Sequence, residues 1–167
     1  MHKETKMMKL SISIICFIIF LNSISFSSEN TIIGNARVID ADTIVIKEKK
    51  IRLFGIDAPE LNQKCLDNRS KHYNCGKESK EFLTKIIKKN NIVKCFYSKK
   101  DIYKRILGNC FVDNLNLNSY LVRNGHALAY LKYSDKYQKH QKYAESKKLG
   151  MWKGSFIKPE DWRRKYK

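Results

Sequence analysis

The sequence predicts an α+β fold: a five-stranded β-barrel with three helices. Three observations lead to it. Apolar, largely β-branched residues gather in five short runs, at residues 31–39, 43–47, 51–56, 91–97 and 105–112. An amphipathic stretch at 77–89 separates the third run from the fourth. The other helical patterns follow the fifth run, and no internal repeat, proline-rich linker or low-complexity block interrupts the order.

Ahead of the first run, residues 1–9 carry Lys3, Lys6 and Lys9, residues 10–21 are apolar, and residues 23–28 are rich in serine. Basic, apolar and small residues in that order predict a secretory signal peptide over residues 1–28, cut after Ser25 or Ser27. The apolar run is shorter than the roughly 20 residues of a membrane span. Cys16 follows Ile14 and Ile15 rather than small residues, which argues against a lipid-anchored cysteine. The expectation is an exported protein, periplasmic or extracellular, with its domain at 29–152 and a basic tail at 153–167. A chain of 167 residues has the length of one domain with a modest core.

The first strand, 31–39, carries Ile32, Ile33, Val38 and Ile39, with Gly34 as a candidate bulge. The second and third, 43–47 and 51–56, flank the polar tip Lys47-Glu48-Lys49-Lys50 and read as a hairpin. Residues 61–76 are polar and irregular. The helix at 77–89 puts Phe82, Leu83, Ile86 and Ile87 on one face and lysines on the other. The fourth strand leads through a basic loop, 98–104, into the fifth. A helix at 116–124 stops at Gly125, residues 126–130 are extended, and a longer helix at 135–149 stops at Gly150. Residues 151–167 hold Trp152, Trp162 and the pair Arg163-Arg164. Five strands with an intervening helix fit an oligonucleotide-binding-type (OB) barrel.

Lys and Arg number 34 against 16 Asp and Glu, a formal charge of +18. Removal of residues 1–28 takes Lys3, Lys6, Lys9 and Glu4 and leaves +16. Such a balance favours polyanionic partners, either nucleic acid or an anionic membrane surface. Cys65, Cys75, Cys95 and Cys110 remain after export, and an oxidising compartment favours two disulfides. The expected pairs are Cys65 with Cys75, closing a local loop, and Cys95 with Cys110, across adjacent strands. A zinc site using His72 is disfavoured, because the Cys65–Cys75 spacing is too wide for a CxxC knuckle. His72, His126 and His140 show no metal-like spacing, Cys65 and Cys75 have no visible paired base, and no P-loop, GxGxxG or GxSxG is present.

The hairpin brings its charged ends together: Asp40 and Asp42 before the second strand, Asp57 and Glu60 after the third. A hard cation such as Ca²⁺ takes oxygen ligands, here Asp42, Asp57 and a backbone carbonyl near Ala58. Glu60, after Pro59, is placed to hold a water as general base. Isolated DxD and DxxE patterns are ordinarily turn residues and solvated loop charges; the shared hairpin is what singles these out. Strict alternation sends Arg52 and Asp57 to opposite faces, so the cluster requires a bulge or bend at Gly55. Arg52, between Ile51 and Leu53-Phe54, needs an acidic partner or a bound anion. Arg52 and Arg105 suit a fork-like clamp on a phosphoryl group, or each pairs with a nearby carboxylate; spacing leaves both readings open. Among tyrosines interleaved with lysines (Tyr97, Tyr103, Tyr130 and Tyr133 with Lys99, Lys100, Lys104 and Lys132), Tyr103 and Tyr130 are the candidate base-stacking residues.

Taken together, VIDADTIVI, IRLFGIDAPE, DIYKRILG, LVRNGHALAY and YAESKKLGMW resemble the thermonuclease family, the staphylococcal nuclease-like proteins, over residues 32–152. The resemblance implies an OB barrel with three helices and Ca²⁺-dependent hydrolysis of DNA and RNA that leaves 3′-phosphate ends. By position it implies Asp42, Asp57 and the Ala58 carbonyl as calcium ligands, and Glu60 as the residue that activates water. It implies Arg52 and Arg105 as the arginines on the scissile phosphate, and Tyr103 and Tyr130 as nucleotide-pocket residues. Asp40 matches an acidic residue near the metal. Three positions depart from the family pattern. Ala41 replaces a glycine between the aspartates, and Lys104 replaces a glycine before the second arginine. Ile102 stands where some relatives carry a phosphate-touching lysine, a contact for which Lys104 is the candidate replacement.

The leading expectation is therefore a secreted, monomeric, Ca²⁺-dependent nuclease with little sequence preference, acting on single-stranded or locally opened nucleic acid. Its alternatives are a non-catalytic OB-fold nucleic-acid-binding protein and a basic protein that holds lipid headgroups or other polyanions through its lysines.

Overall fold

Side-chain alternation builds the barrel. The computed structural model describes residues 30–90 and 92–166; the expected signal segment, 1–28 with Cys16, lies outside them. β1 (Asn30–Asp40) pairs antiparallel with β2 (Thr43–Ile46) and with β7 (Ile92–Tyr97). β2 continues into β3 (Lys49–Leu53), and β7 into β8 (Ile106–Val112). A parallel β3–β8 pairing closes the five strands, with Ile51 opposite Ile106, Arg52 opposite Leu107 and Leu53 opposite Gly108. Closure leaves these strands no long open edge.

Inward positions fill the barrel: Ile44, Ile46, Ile51, Leu53, Val93 and Cys110 are all buried. α1 (Cys75–Asn90) adds Leu83 and Ile87 to the same core. α2 (Leu117–Arg123) follows the short β9 (Leu115–Asn116) and is capped by the Asn116 side chain, which accepts from the Ser119 N–H at 2.8 Å. β10 (Leu128–Ala129) and α3 (Gln138–Ser146) complete the part the sequence pattern anticipates, and a 3₁₀ turn (Gly150–Lys153) follows where the helix is expected to stop.

Two expectations are corrected. Gly34 is no bulge: it pairs in regular register with Val93, and the irregularity falls between Val38 and Asp40, where β1 must leave the sheet for the turn into β2. The helices number four among the described residues, because the tail forms α4 (Pro159–Tyr166). Its signals are local: Pro159 at the first position, Glu160 and Asp161 in the first turn, and basic residues in the last.

The bend that the cluster requires is present. β3 ends at Leu53, Gly55 adopts φ +74°, and β4 (Ile56–Asp57) leaves the barrel to pair with β10. The short β5 (Cys65–Leu66) and β6 (His72–Tyr73) pair with each other ahead of α1. The buried Asn118 amide donates to the Phe54 and Gly108 carbonyls at 2.9 and 3.1 Å and accepts from the Cys110 N–H at 3.0 Å. The Gly55 carbonyl accepts from the Tyr130 N–H at 2.9 Å. Only a left-handed residue lets the chain turn here, and side-chain and backbone hydrogen bonds hold it.

Candidate active site

Asp42 is the joint of the site. It is 4% exposed, and its Oδ1 accepts from the Thr43 hydroxyl at 3.1 Å and from Arg52 Nη1. Its Oδ2 accepts from the Ala58 N–H at 3.0 Å. One carboxylate thus ties the start of β2, the end of β3 and the chain after β4. Arg52 reaches the other way, donating from Nη2 to Asp57 Oδ1 at 3.1 Å. The bend at Gly55 brings Asp57 to the face that strict alternation would deny it, so Arg52 bridges the two aspartates.

A second guanidinium joins them. Arg163, on α4, donates from Nη2 to Asp57 Oδ1 and Oδ2 at 2.9 and 3.1 Å, and from Nη1 to Glu60 Oε1 at 3.0 Å. The Glu60 N–H is held by Gln63 Oε1 at 3.2 Å, and Gln63 Nε2 donates to the Ile157 carbonyl at 2.7 Å. Neither Arg163 nor Gln63 is marked by local sequence. The available signal is charge balance: the nearly buried Asp42 and Asp57 share the single guanidinium of Arg52, so further positive charge has to come from elsewhere.

The carboxylates feel this crowding. Burial, with Asp42 alongside, pushes Asp40 up to about 6. Burial also works against the Asp42 anion, but Arg52 and the Ala58 N–H hold its carboxyl below the ordinary value. For Asp57 burial prevails, and with Asp42 nearby its carboxyl is raised despite Arg163 and Arg52. Two acids raised by burial and by the same neighbour, Asp42, are an environment that a hard cation would relieve, and their oxygens suit one. The described residues nevertheless contain no ready-made group of three or more His, Cys, Asp or Glu side chains arranged around a metal position. Asp57 Oδ1 takes both guanidiniums, whereas Oδ2 carries the longer Arg163 contact and is the oxygen best placed to be shared.

Arg105 stands apart from this cluster. Asp101 holds it, accepting from Arg105 Nε at 2.7 Å and from its N–H at 2.9 Å, and the guanidinium lies 5.5 Å from the Tyr103 ring centroid. Of the two sequence readings of Arg105, this arrangement displays the carboxylate pair. Lys104 takes φ +62°, the left-handed conformation that a glycine adopts without strain. Ala41 needs no positive φ, so the loss of glycine there does not disturb the turn. Tyr103 and Ile102 project into solvent at 73% and 89% exposure. Tyr130 lies at the Asp57 side: burial, together with Glu160 and Asp57, raises its phenol.

Both expected cysteine pairs are joined, Cys65 to Cys75 and Cys95 to Cys110. The second links register partners on β7 and β8. The first ties the chain after Glu60 to the start of α1. A groove of about 830 Å³ opens beside it, lined by Leu61, Lys64, Lys77, Lys80 and Lys85 among others.

The family described as "Staphylococcal nuclease homologue" matches residues 50–154, more than half of the chain. The chain belongs to this family. The match takes in Arg52, Asp57, Glu60 and Arg105, and it ends before α4. Among relatives, the succinoglycan biosynthesis protein ExoI of Rhizobium meliloti is 37% identical over 126 residues, covering 73% of this chain and 65% of its own length. An uncharacterized endonuclease of Haemophilus influenzae is 32% identical over 78% of this chain and 72% of its own length. A probable staphylococcal-like nuclease of Oryza sativa subsp. japonica is 31% identical over 74% of this chain but only 31% of its own length. In this staphylococcal nuclease homologue the acidic hairpin end and Arg52 therefore sit on an intact family barrel.

Proposed function

We propose that the protein is an exported, monomeric, Ca²⁺-dependent nuclease that hydrolyses DNA and RNA phosphodiester bonds with little sequence preference. The observation that carries this reading is the meeting of Asp42, Asp57 and Glu60 around the Arg52 and Arg163 guanidiniums at the bent end of one hairpin. Endonuclease and nuclease names among the relatives support it.

Asp42, Asp57 and the Ala58 carbonyl would hold the cation, which supplies Lewis-acid polarisation of the phosphodiester and neutralises developing charge. Glu60 accepts the proton of the water that attacks phosphorus. Arg52 neutralises charge on the equatorial oxygens, and Arg105 joins it by exchanging Asp101 for the phosphate, a swap of one anionic partner for another. The 5′-oxygen departs and the 3′-phosphate stays with the other product. Tyr103 and Tyr130 offer sequence-tolerant stacking, and Lys104 a backbone contact. The signal-like segment 1–28 and the two disulfides support export.

The test is digestion of single-stranded DNA and of RNA with Ca²⁺ or with chelator, beside Glu60→Gln. Calcium-dependent cutting that falls by at least about 100-fold in the variant is expected for loss of a general base. Tight binding without cutting in every lane would instead leave the non-catalytic barrel. Indifference of binding to Ca²⁺ and to both Asp42→Asn and Glu60→Gln, with equal affinity for anionic vesicles, would favour the lipid reading.

A further inference from the structure

The Glu60 carboxylate is met by a residue 103 positions later in the chain. Arg163 spans it and Asp57 with one planar guanidinium, at 3.0 Å to Glu60 Oε1 and 2.9 Å to Asp57 Oδ1. A rigid fork sets the separation of the two acids, which a flexible ammonium does not. Ordering a glutamate side chain at the edge of a loop otherwise costs much of its rotamer freedom.

The platform beneath Arg163 is itself anchored to the site. Ser155 and Leu66 exchange backbone hydrogen bonds at 2.9 and 3.1 Å. Gln63, fully buried, holds the Glu60 N–H with its oxygen and the Ile157 carbonyl with its nitrogen. The buried Pro159 then starts α4. The adjacent arginines differ sharply: the Arg163 side chain is 27% exposed and faces the acids, while Arg164 is 74% exposed and pairs with Asp161 on the surface.

We propose that Arg163 is a positioning residue of the nuclease reaction, clamping Glu60 against Asp57 so that the water-activating carboxylate faces the scissile phosphate. The proposal rests on the nuclease reading above and adds to it a residue beyond the family-matched span. Arg163 touches carboxylates rather than the reacting atoms, so it acts through Glu60. Its positive charge also opposes a cation on Asp57. Removal therefore moves two quantities in opposite directions: turnover falls and cation affinity rises.

The experiment compares wild type, Arg163→Ala and Arg163→Lys. It reads kcat and KM on a single-stranded oligonucleotide at saturating Ca²⁺, and Ca²⁺ affinity by calorimetry without substrate. For Arg163→Ala, kcat is expected to fall about 10–100-fold, as for a reacting group displaced by about an ångström. KM should change less than about threefold, while Ca²⁺ binds more tightly by roughly 3–10-fold, of the order of one removed like charge near the surface. Arg163→Lys keeps the charge but cannot span both acids, and should fall between the two; it carries the test should Arg163→Ala not fold. Unchanged kcat in Arg163→Ala, or wild-type kcat in Arg163→Lys, would overturn the clamp. So would kcat and Ca²⁺ affinity falling together, the pattern of an arginine that merely docks α4. A wild-type protein that cuts nothing defeats the nuclease reading itself, an outcome distinct from normal cutting by the variants.

Discussion

Gly76 lies so close to Glu60 that a Cβ on it would sit 1.8 Å from the Glu60 carbonyl oxygen. The first turn of α1 is therefore the backing against which the Glu60 loop rests. The Glu60 carbonyl accepts from the Gln63 N–H at 2.7 Å, and the Cys65–Cys75 disulfide fastens the same two segments. Alanine at a helical position normally stabilises by up to about 1 kcal/mol over glycine. Here the contact is with backbone and cannot be relieved by a rotamer, so overpacking of about 1–3 kcal/mol prevails. Gly76→Ala should lower the melting temperature and reduce cutting by roughly 10–100-fold through displacement of Glu60. A variant with raised melting temperature and full activity would contradict this.

Arg52 stands between two nearly buried aspartates, so its loss leaves both without their shared cation. Arg52→Met should destabilise the fold by about 3–5 kcal/mol in chelator, the usual consequence of breaking a buried pair from one side. Ca²⁺ should restore part of that in urea titrations, because a ligand that binds only the folded state stabilises it. Equal midpoints with and without Ca²⁺ would count against a cation at Asp42 and Asp57.

The Cys95–Cys110 bridge closes a segment with a sequence separation of 15 inside the barrel core. The double substitution Cys95→Ala with Cys110→Ala should cost about 3 kcal/mol, the loop-closure contribution for that length. Non-reducing peptide mapping should recover Cys95 with Cys110 and Cys65 with Cys75. Recovery of alkylated Cys95 and Cys110 without reduction would refute the pairing.

His126 stacks on Phe82 with ring centroids 3.9 Å apart, and its Nδ1 lies 3.3 Å from the Ser79 hydroxyl. Burial, helped by Lys153, lowers its pKa from 6.5 to about 4. The folded state thus prefers neutral imidazole. This contribution is complete above pH 6.5 and is lost as pH falls toward about 4. It amounts to something on the order of 3 kcal/mol. His126→Gln should flatten the acid limb of a stability–pH profile in that interval. An unchanged slope would show that other groups set it.

The lysine-lined groove beginning at Leu61 adjoins Glu60 and matches an extended polyanion in charge. In a Glu60→Gln background, Lys77→Gln with Lys80→Gln should reduce the slope of log affinity against log salt by about 1.4 for single-stranded DNA, near 0.7 per lost phosphate contact. An unaltered slope would place the strand elsewhere on the surface.

Much of the candidate site is legible in the amino-acid sequence. Asp42, Asp57 and Glu60 declared themselves because a hairpin makes its two ends neighbours, and Gly55 was the one residue there able to turn the strand end. The cysteine pairs followed from one local loop and two adjacent strands. Gly34 misled, because an isolated glycine in a strand does not say whether it bulges. Arg105 stayed ambiguous for a related reason. A guanidinium satisfies itself with whichever anion is nearest, and Asp101, which also accepts from the Tyr103 and Arg105 N–H groups, lies in its own loop.

By itself the amino-acid sequence determined the order of strands and helices, the basic surface, the acidic hairpin end and the family resemblance. All of these are set by short-range periodicity or by motifs within a few residues. Only the tertiary structure decided which cations face those acids. The parallel β3–β8 closure, the bend held by Asn118 and the docking of α4 through Gln63 join residues up to about a hundred positions apart. Such contacts arise from packing of whole elements, and no local pattern encodes the partner of Arg163.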